Sequence, residues 1–142
     1  MNRGQINDYL NSVKTDFYFL HCDSWHYKAE FKIINIGVQE FNAVNLSYGL
    51  ALAKHKVILY SIAGFVIEKC LEQLRLMRDC DVMLLTAGLD HEYPPSLGKG
   101  HQINPEGILT YLKEHGWSIY SDDFTQCFNC SNKRVFILGK EP

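Results

Sequence analysis

No apolar run in this chain reaches the roughly 18–20 residues that a membrane-spanning helix needs. The N-terminal stretch MNRGQINDYLNSVKTDF has no apolar signal-peptide core either. An excess of one charge is also lacking. The formal net charge of -2 gives no electrostatic reason to expect nucleic acid or an anionic membrane as a partner. A paired cysteine framework is missing as well, because the five cysteines are odd in number and scattered at Cys22, Cys70, Cys80, Cys127 and Cys130. That usage fits reduced thiols of the cytoplasm better than the disulfides of a secreted protein. A structural zinc site needs about four ligands, and neither a second C-x-x-C nor a histidine pair accompanies Cys127-Phe128-Asn129-Cys130. This motif precedes the last expected strand, whereas a thioredoxin-like dithiol follows an early strand and opens a helix. It reads as chance placement.

What is present is ordinary for one globular domain. At 142 residues, 46% apolar and 21% charged, the chain can bury its own core. Runs rich in β-branched and aromatic residues recur at DFYFLHC (16–22), KIINI (32–36), KVILYSI (56–62), DVMLLTA (81–87), WSIYS (117–121) and RVFILG (134–139), and each reads as a strand. Several are apolar at consecutive positions, the pattern of parallel strands covered on both faces. Helices are expected between them at about 4–14, 38–54, 64–79 and 104–115. The last is the best marked, with Asn104 to cap it, Pro105 in its first position and Gly116 to close it. Alternating strands and helices predict a single three-layer α/β/α domain over 1–142, with an open, mainly parallel sheet and right-handed crossovers.

Two loops break this rhythm: CDSWHYKAEF between the first two strands, and GLDHEYPPSLGKGHQIN after the fourth. Ligands of open α/β sheets gather at the carboxyl ends of strands, so chemistry is expected in these loops and in the Gly37–Glu40 turn. Glu40 is the odd residue of the stretch NIGVQEFNAVNLSYGLAL (35–52), which is otherwise apolar, small or amide. Composition alone favours an acid in a first helical turn, stabilised by the helix dipole; the other reading is a carboxyl that the fold places for use. Phe65 alone would be a core residue. His101, in a glycine-rich loop, is either a solvated turn residue or an imidazole able to exchange a proton near neutral pH.

Five segments together resemble a known family. Gly37-Val38-Gln39-Glu40-Phe41-Asn42, followed by Tyr48-Gly49-Leu50-Ala51-Leu52, resembles the G-I-A-E-Q-N…A-G-L-A-L stretch of transketolase-type, thiamine-diphosphate-dependent enzymes, with the same spacing from glutamate to second glycine. Tyr60 to Phe65, YSIAGF, is similar to the family's Y-S-I-A-P-F, and Glu68 to Arg75, EKCLEQLR, to its E-R-x-x-E-Q-I-R helix. Leu97-Gly98-Lys99-Gly100-His101-Gln102 resembles L-G-P-T-H-x, and Arg134 to Lys140 resembles the closing P-V-Y-I-R-L-G-K strand. Lys99-Gly100 stand where the family has Pro-Thr, and its acid-rich G-E-D-G approach is replaced by Asp90, His91 and Glu92 further upstream.

The resemblance implies a pyrimidine-binding domain of the thiamine-diphosphate-binding fold. By motif position, Glu40 is expected to contact ring nitrogen N1′ of the aminopyrimidine and favour the imino tautomer that deprotonates thiazolium C2. Such a carboxyl shares a proton near neutral pH, so an apolar setting supplied by Val38, Phe41 and Val44 is expected to lift its pKa. Phe65 and Ile62 are expected against the pyrimidine, Asp23 close to the cofactor and His101 near the substrate, with Lys99 able to meet a substrate phosphate. The G-D-G…N segment that holds the metal and phosphates in the family's other half is not found in this sequence. The resemblance therefore implies a split enzyme. A separate diphosphate-binding subunit, like the transketolase N-terminal section, would carry Mg2+ or Ca2+, in a heterotetramer with two copies of each chain. The activity implied is transfer of a two-carbon ketol unit between sugars or sugar derivatives, with a sugar or sugar phosphate as substrate. A split 2-oxo acid decarboxylase and a non-catalytic regulatory or scaffolding remnant are the alternatives.

Overall fold

The computed structural model describes residues 1–89, 93–98, 101 and 103–139. Strands β1 (Phe17–His21), β2 (Lys32–Asn35), β3 (Lys56–Ile62), β4 (Val82–Ala87), β5 (Ser118–Tyr120) and β6 (Arg134–Ile137) form one six-stranded sheet in the order β2-β1-β3-β4-β6-β5. Every pairing is parallel. The expected strands therefore all form, and the sheet is wholly rather than mainly parallel. Helices α1 (Arg3–Ser12), α2 (Glu40–Leu52), α3 (Ala63–Val66), α4 (Leu71–Leu76), α5 (Pro105–Glu114) and α6 (Phe124–Asn129) flank it.

Consecutive apolar residues in the strands feed two separate cores, as a sheet buried on both faces requires. Leu20, Leu59, Leu84 and Val135 pack with Val44, Leu74 and Leu112 from α2, α4 and α5 on one face. Their neighbours Phe19, Ile58, Met83 and Phe136 pack with Ile6, Leu10, Phe124 and Phe128 from α1 and α6 on the other. No helix among the described residues is long and apolar enough to cross a membrane.

Two helical expectations are corrected. The span 64–79 is not one helix: α3 gives way to a 3-10 turn at Glu68–Cys70 before α4. The backbone departs from helical values at Cys70 (φ −115°, ψ 17°). α4 then stops at Leu76, because the following residues are drawn into other bonds. Arg78 N donates to Tyr48 Oη at 3.1 Å, and Asp79 Oδ1 accepts from Lys133 N at 3.0 Å. α6 was not anticipated. Its signal lies in Asp123-Phe124-Thr125-Gln126, where the Asp123 carboxylate accepts from Gln126 N at 2.8 Å as an N-cap.

Candidate active site

In the strand order, β1 lies between β2 and β3. The chain leaving β1 moves to one side of the sheet and the chain leaving β3 to the other, so their carboxyl ends diverge and open a crevice. A cleft of about 360 Å³ lies there, lined by Cys22, Asp23, Ser24, Val38, Glu40, Ser61, Ile62, Phe65 and Lys69. These side chains come from the exit of β1, the entry to α2, the exit of β3 and the turn after it.

Two short turns set the geometry. Gly37 sits at φ +72°, a left-handed conformation that costs a side-chain-bearing residue about 1–2 kcal/mol, and it turns the chain from β2 into α2. Asp23 also lies in that region, at φ +54°, where aspartate is tolerated when its side chain bonds locally. Asn35 joins the two turns. Its Oδ1 accepts from Asp23 N at 3.1 Å and Gly37 N at 2.9 Å, and its Nδ2 donates to Asp23 Oδ1 at 3.2 Å. Sequence reading passed over Asn35, since a single asparagine ending a strand carries no motif. Replacing it with alanine is expected to cost about 1–2 kcal/mol, read as a lowered denaturation midpoint. An unchanged midpoint would mean that each turn holds itself.

Glu40 is the first residue of α2 and is only 8% exposed. Both readings of this residue therefore meet in one place: it occupies the first turn, and its carboxyl is nevertheless withdrawn into the cleft wall. Its negative charge is felt nearby. Burial first, and Glu40 second, push the Cys22 thiol up to about 11 despite a hydrogen bond from Ser61. The same two causes raise Cys70 to about 11. Both thiols are protonated at neutral pH; Cys22 forms part of the cleft wall and Cys70 lies in the core behind it.

The apolar setting expected of Val38, Phe41 and Val44 needs correction. Val44 is buried, but Phe41 and Val38 are 55% and 78% exposed at the cleft mouth. A residue one position beyond Glu40 points about 100° around the helix and cannot cover it. Val38 still lines the cleft, and Cys22, Ile62 and Phe65 complete the apolar lining.

Phe65 is half-buried, with Lys69 Nζ 4.2 Å from its ring centroid. His101 meets the same ring edge-on, with centroids 4.9 Å apart, and contacts the ring of Tyr93 at 5.4 Å. The His101 Nδ1 lies 3.0 Å from the Leu97 carbonyl oxygen. A carbonyl only accepts, so Nδ1 is the donor of this bond, and in a neutral ring Nε2 is the nitrogen left with a lone pair. The structure thus brings Glu40, Asp23, Ile62 and Phe65 into one cleft and sets His101 against it through Phe65. Lys99, Gly100, Gln102, Asp90, His91, Glu92 and Lys140 lie outside the described residues.

Several lining residues carried no sequence signal. Ser24 Oγ is buried with no hydrogen-bond partner among the described residues, in the cleft wall. A second hollow of about 420 Å³ shares Asp23, Ser24 and Ile62 with the cleft and adds Arg3, His26, Tyr27, Tyr60 and Tyr93. Beneath them, His21 Nδ1 accepts from Ser24 N at 3.4 Å and Trp25 N at 3.3 Å. Burial lowers the His21 pKa below 6.5, outweighing the opposing effect of Asp23.

The folded state therefore binds fewer protons at His21 than the unfolded chain once the pH falls below about 6.5. Stability is lost as the pH drops through that range, by up to about 1.4 kcal/mol per pH unit. Denaturant titrations from neutral to mildly acidic pH are expected to show this slope, and His21→Gln to flatten it. Equal slopes in both proteins would dismiss His21 as the source.

Cys127 and Cys130 lie far from the cleft's elements, at the end of α6. Cys127 is fully buried with its thiol pushed up to about 12 by burial, and Cys130 Sγ is 3.3 Å from Tyr120 Oη. All five cysteines are free. Comparison of the chain with known protein families, curated proteins and solved structures found no match.

Proposed function

We propose that this chain is the pyrimidine-binding subunit of a split, transketolase-like thiamine diphosphate enzyme, acting with a separate diphosphate-binding subunit in a heterotetramer of two copies of each. The observation that carries this reading is the withdrawn carboxyl of Glu40, opening α2 in the wall of a cleft that also holds Ile62 and Phe65. An acid is expensive to bury without a use, and the switch point of a parallel sheet is where a ligand belongs.

The residues present fit the aminopyrimidine half of the cofactor. A flat heterocycle needs apolar contacts on its faces, which Ile62 and Phe65 offer, and polar groups at its edge, which Glu40 and the orphaned Ser24 hydroxyl offer. A ring stacking on the face of Phe65 that Lys69 covers would displace that ammonium. The phosphates and their Mg2+ or Ca2+ are assigned to the partner subunit.

When bound, thiamine diphosphate supplies a nucleophilic carbon that cleaves and re-forms a carbon–carbon bond beside a carbonyl. Glu40 holds and returns a proton at the pyrimidine ring nitrogen, as general acid and base. Ile62 and Phe65 fix the ring's plane and keep water from its faces. Asp23, held by Asn35, keeps one rim of the cleft in place. His101 Nε2 is free to accept a proton from a sugar hydroxyl, while its Nδ1 is engaged by Leu97.

The direct experiment is co-purification with a transketolase-N-terminal-like subunit from the same genome, assayed with a ketose donor and an aldehyde acceptor. Ketol transfer that needs both chains and thiamine diphosphate supports the reading. Release of carbon dioxide from a 2-oxo acid would move the chain to the decarboxylase class. Assembly without turnover on either substrate would leave a scaffolding role.

A further inference from the structure

We propose that His21 is an acid-released latch on the turn that carries Asp23 and Ser24 into the walls of both hollows. The proposal concerns how that wall is held and does not depend on what the cleft binds. His21 ends β1 and is buried. Its Nδ1 accepts from Ser24 N at 3.4 Å and from Trp25 N at 3.3 Å. One lone pair therefore gathers two backbone donors, and the ring proton of the neutral imidazole must sit on Nε2. An imidazolium carries N–H at both nitrogens, so protonation turns the shared acceptor into a third donor facing the other two. Both bonds are lost in one event.

The turn has reason to move once the latch opens. Asp23 sits at φ +54°, a left-handed conformation that an unrestrained chain leaves. Its other restraint is Asn35, through bonds of 3.1 and 3.2 Å. Trp25 is anchored by its side chain: the indole Nε1 donates to Asn7 Oδ1 at 3.4 Å, and the ring packs on Phe19 and Tyr60 with centroids 4.8 Å away. Ser24 lies between these anchors with an Oγ that has no hydrogen-bond partner among the described residues. Its N–H on His21 is thus the polar tie that holds this part of the wall. Because Asp23 and Ser24 line the cleft and the neighbouring hollow alike, their release changes both at once.

The groups around the imidazole set the pH of release. Asp23 favours the charged ring, and His26 in the same loop opposes it. From β3, Tyr60 is the register partner of His21, and its hydroxyl accepts from Arg3 Nε of α1 at 2.8 Å. From β2, the partner is Asn35, an uncharged amide. Burial outweighs Asp23, so the closed turn resists the proton and the open turn takes it up. Opening one turn leaves the sheet intact and needs less free energy than unfolding.

NMR of the full chain titrated from pH 7.5 to 5 is the test. At neutral pH the nitrogen shifts of His21 should show an unprotonated Nδ1. Protection of the Ser24 and Trp25 amides against hydrogen exchange should fall by up to about tenfold per pH unit below pH 6.5, one proton entering per opening. At each pH their protection should lie below that of the β3 and β4 amides. His21→Gln, whose amide oxygen accepts but does not titrate in this range, should remove the slope. Asn35→Ala should lower protection at both amides by a constant factor and keep it. A protonated Nδ1 at neutral pH overturns the proposal without any variant. So do Ser24 and Trp25 amides that open only with β3 and β4, or a slope that survives in His21→Gln.

Discussion

Glu40→Gln, in the chain assembled with its diphosphate-binding partner, is expected to lower thiamine-diphosphate-dependent turnover about 10²–10⁴-fold, the usual contribution of a positioned acid–base group. Glutamine keeps the size and a hydrogen bond of glutamate but cannot take and return a proton. The loss should fall on kcat, since the proton moves during the reaction. Stability should move little, within about 1 kcal/mol. Removing the charge gives up a favourable interaction with the helix dipole and relieves the cost of holding a carboxylate 8% exposed.

A purely structural glutamate predicts the reverse pattern, a lower melting temperature with turnover kept. One readout needs no activity at all. Glu40 contributes to the raised Cys22 and Cys70 thiols, so the pH at which both become alkylated should fall in the glutamine variant. Wild-type turnover in Glu40→Gln would end the catalytic assignment.

Arg134→Met is expected to destabilise the fold by about 3–5 kcal/mol, the cost of breaking a buried ion pair from one side. That is a large part of the roughly 5–15 kcal/mol that holds such a domain together. Arg134 is wholly buried at the start of β6. Its guanidinium donates to Asp81 Oδ1 at 2.8 Å and to the carbonyl oxygens of Cys127, Phe128 and Asn132 at 2.6, 3.4 and 2.6 Å. Lys56 Nζ adds bonds to the carbonyls of Phe128 and Cys130 at 2.9 and 2.8 Å and pairs with Asp81 at 3.1 Å.

Two cations thus satisfy the orphan carbonyls at the end of α6 and share one carboxylate, with burial lowering the Lys56 pKa. Removing Arg134 takes the guanidinium donor from the Cys127 and Asn132 carbonyls and leaves Asp81 with Lys56 alone. Lys32→Ala is the contrasting substitution. Its pair with Asp16 spans 2.7 Å between side chains 51% and 68% exposed, so solvent screens it and its loss should matter little. Urea denaturation of the two variants, compared with wild type, tests the difference. An Arg134→Met midpoint as close to wild type as that of Lys32→Ala would refute the network's importance.

By itself the sequence determined the elements and the class of fold. Runs such as KVILYSI and DVMLLTA became central strands because side chains alternate between faces and both faces here are apolar, a property that consecutive residues carry locally. Asn104 and Pro105 placed the start of α5 for the same kind of reason, since capping is a contact between near neighbours. The position of Glu40 at a helix start was legible too, from the glycine turn before it.

Tertiary structure alone decided the rest. Whether Glu40 faced water or the protein depended on β1 and β3 lying side by side, which brings Cys22, Ile62 and Phe65 around it. Nothing local marks Arg134 for burial; α6, β3 and Asp81 close over it only in the folded chain. Asn35 and Ser24 acquired their roles from backbone groups and space that other segments define. The same holds in reverse for Phe41 and Val38, apolar by composition and exposed by position. Periodicity is written within a few residues, whereas burial and convergence are settled by pairings between distant segments, so a linear reading finds the parts and only the folded chain shows which of them meet.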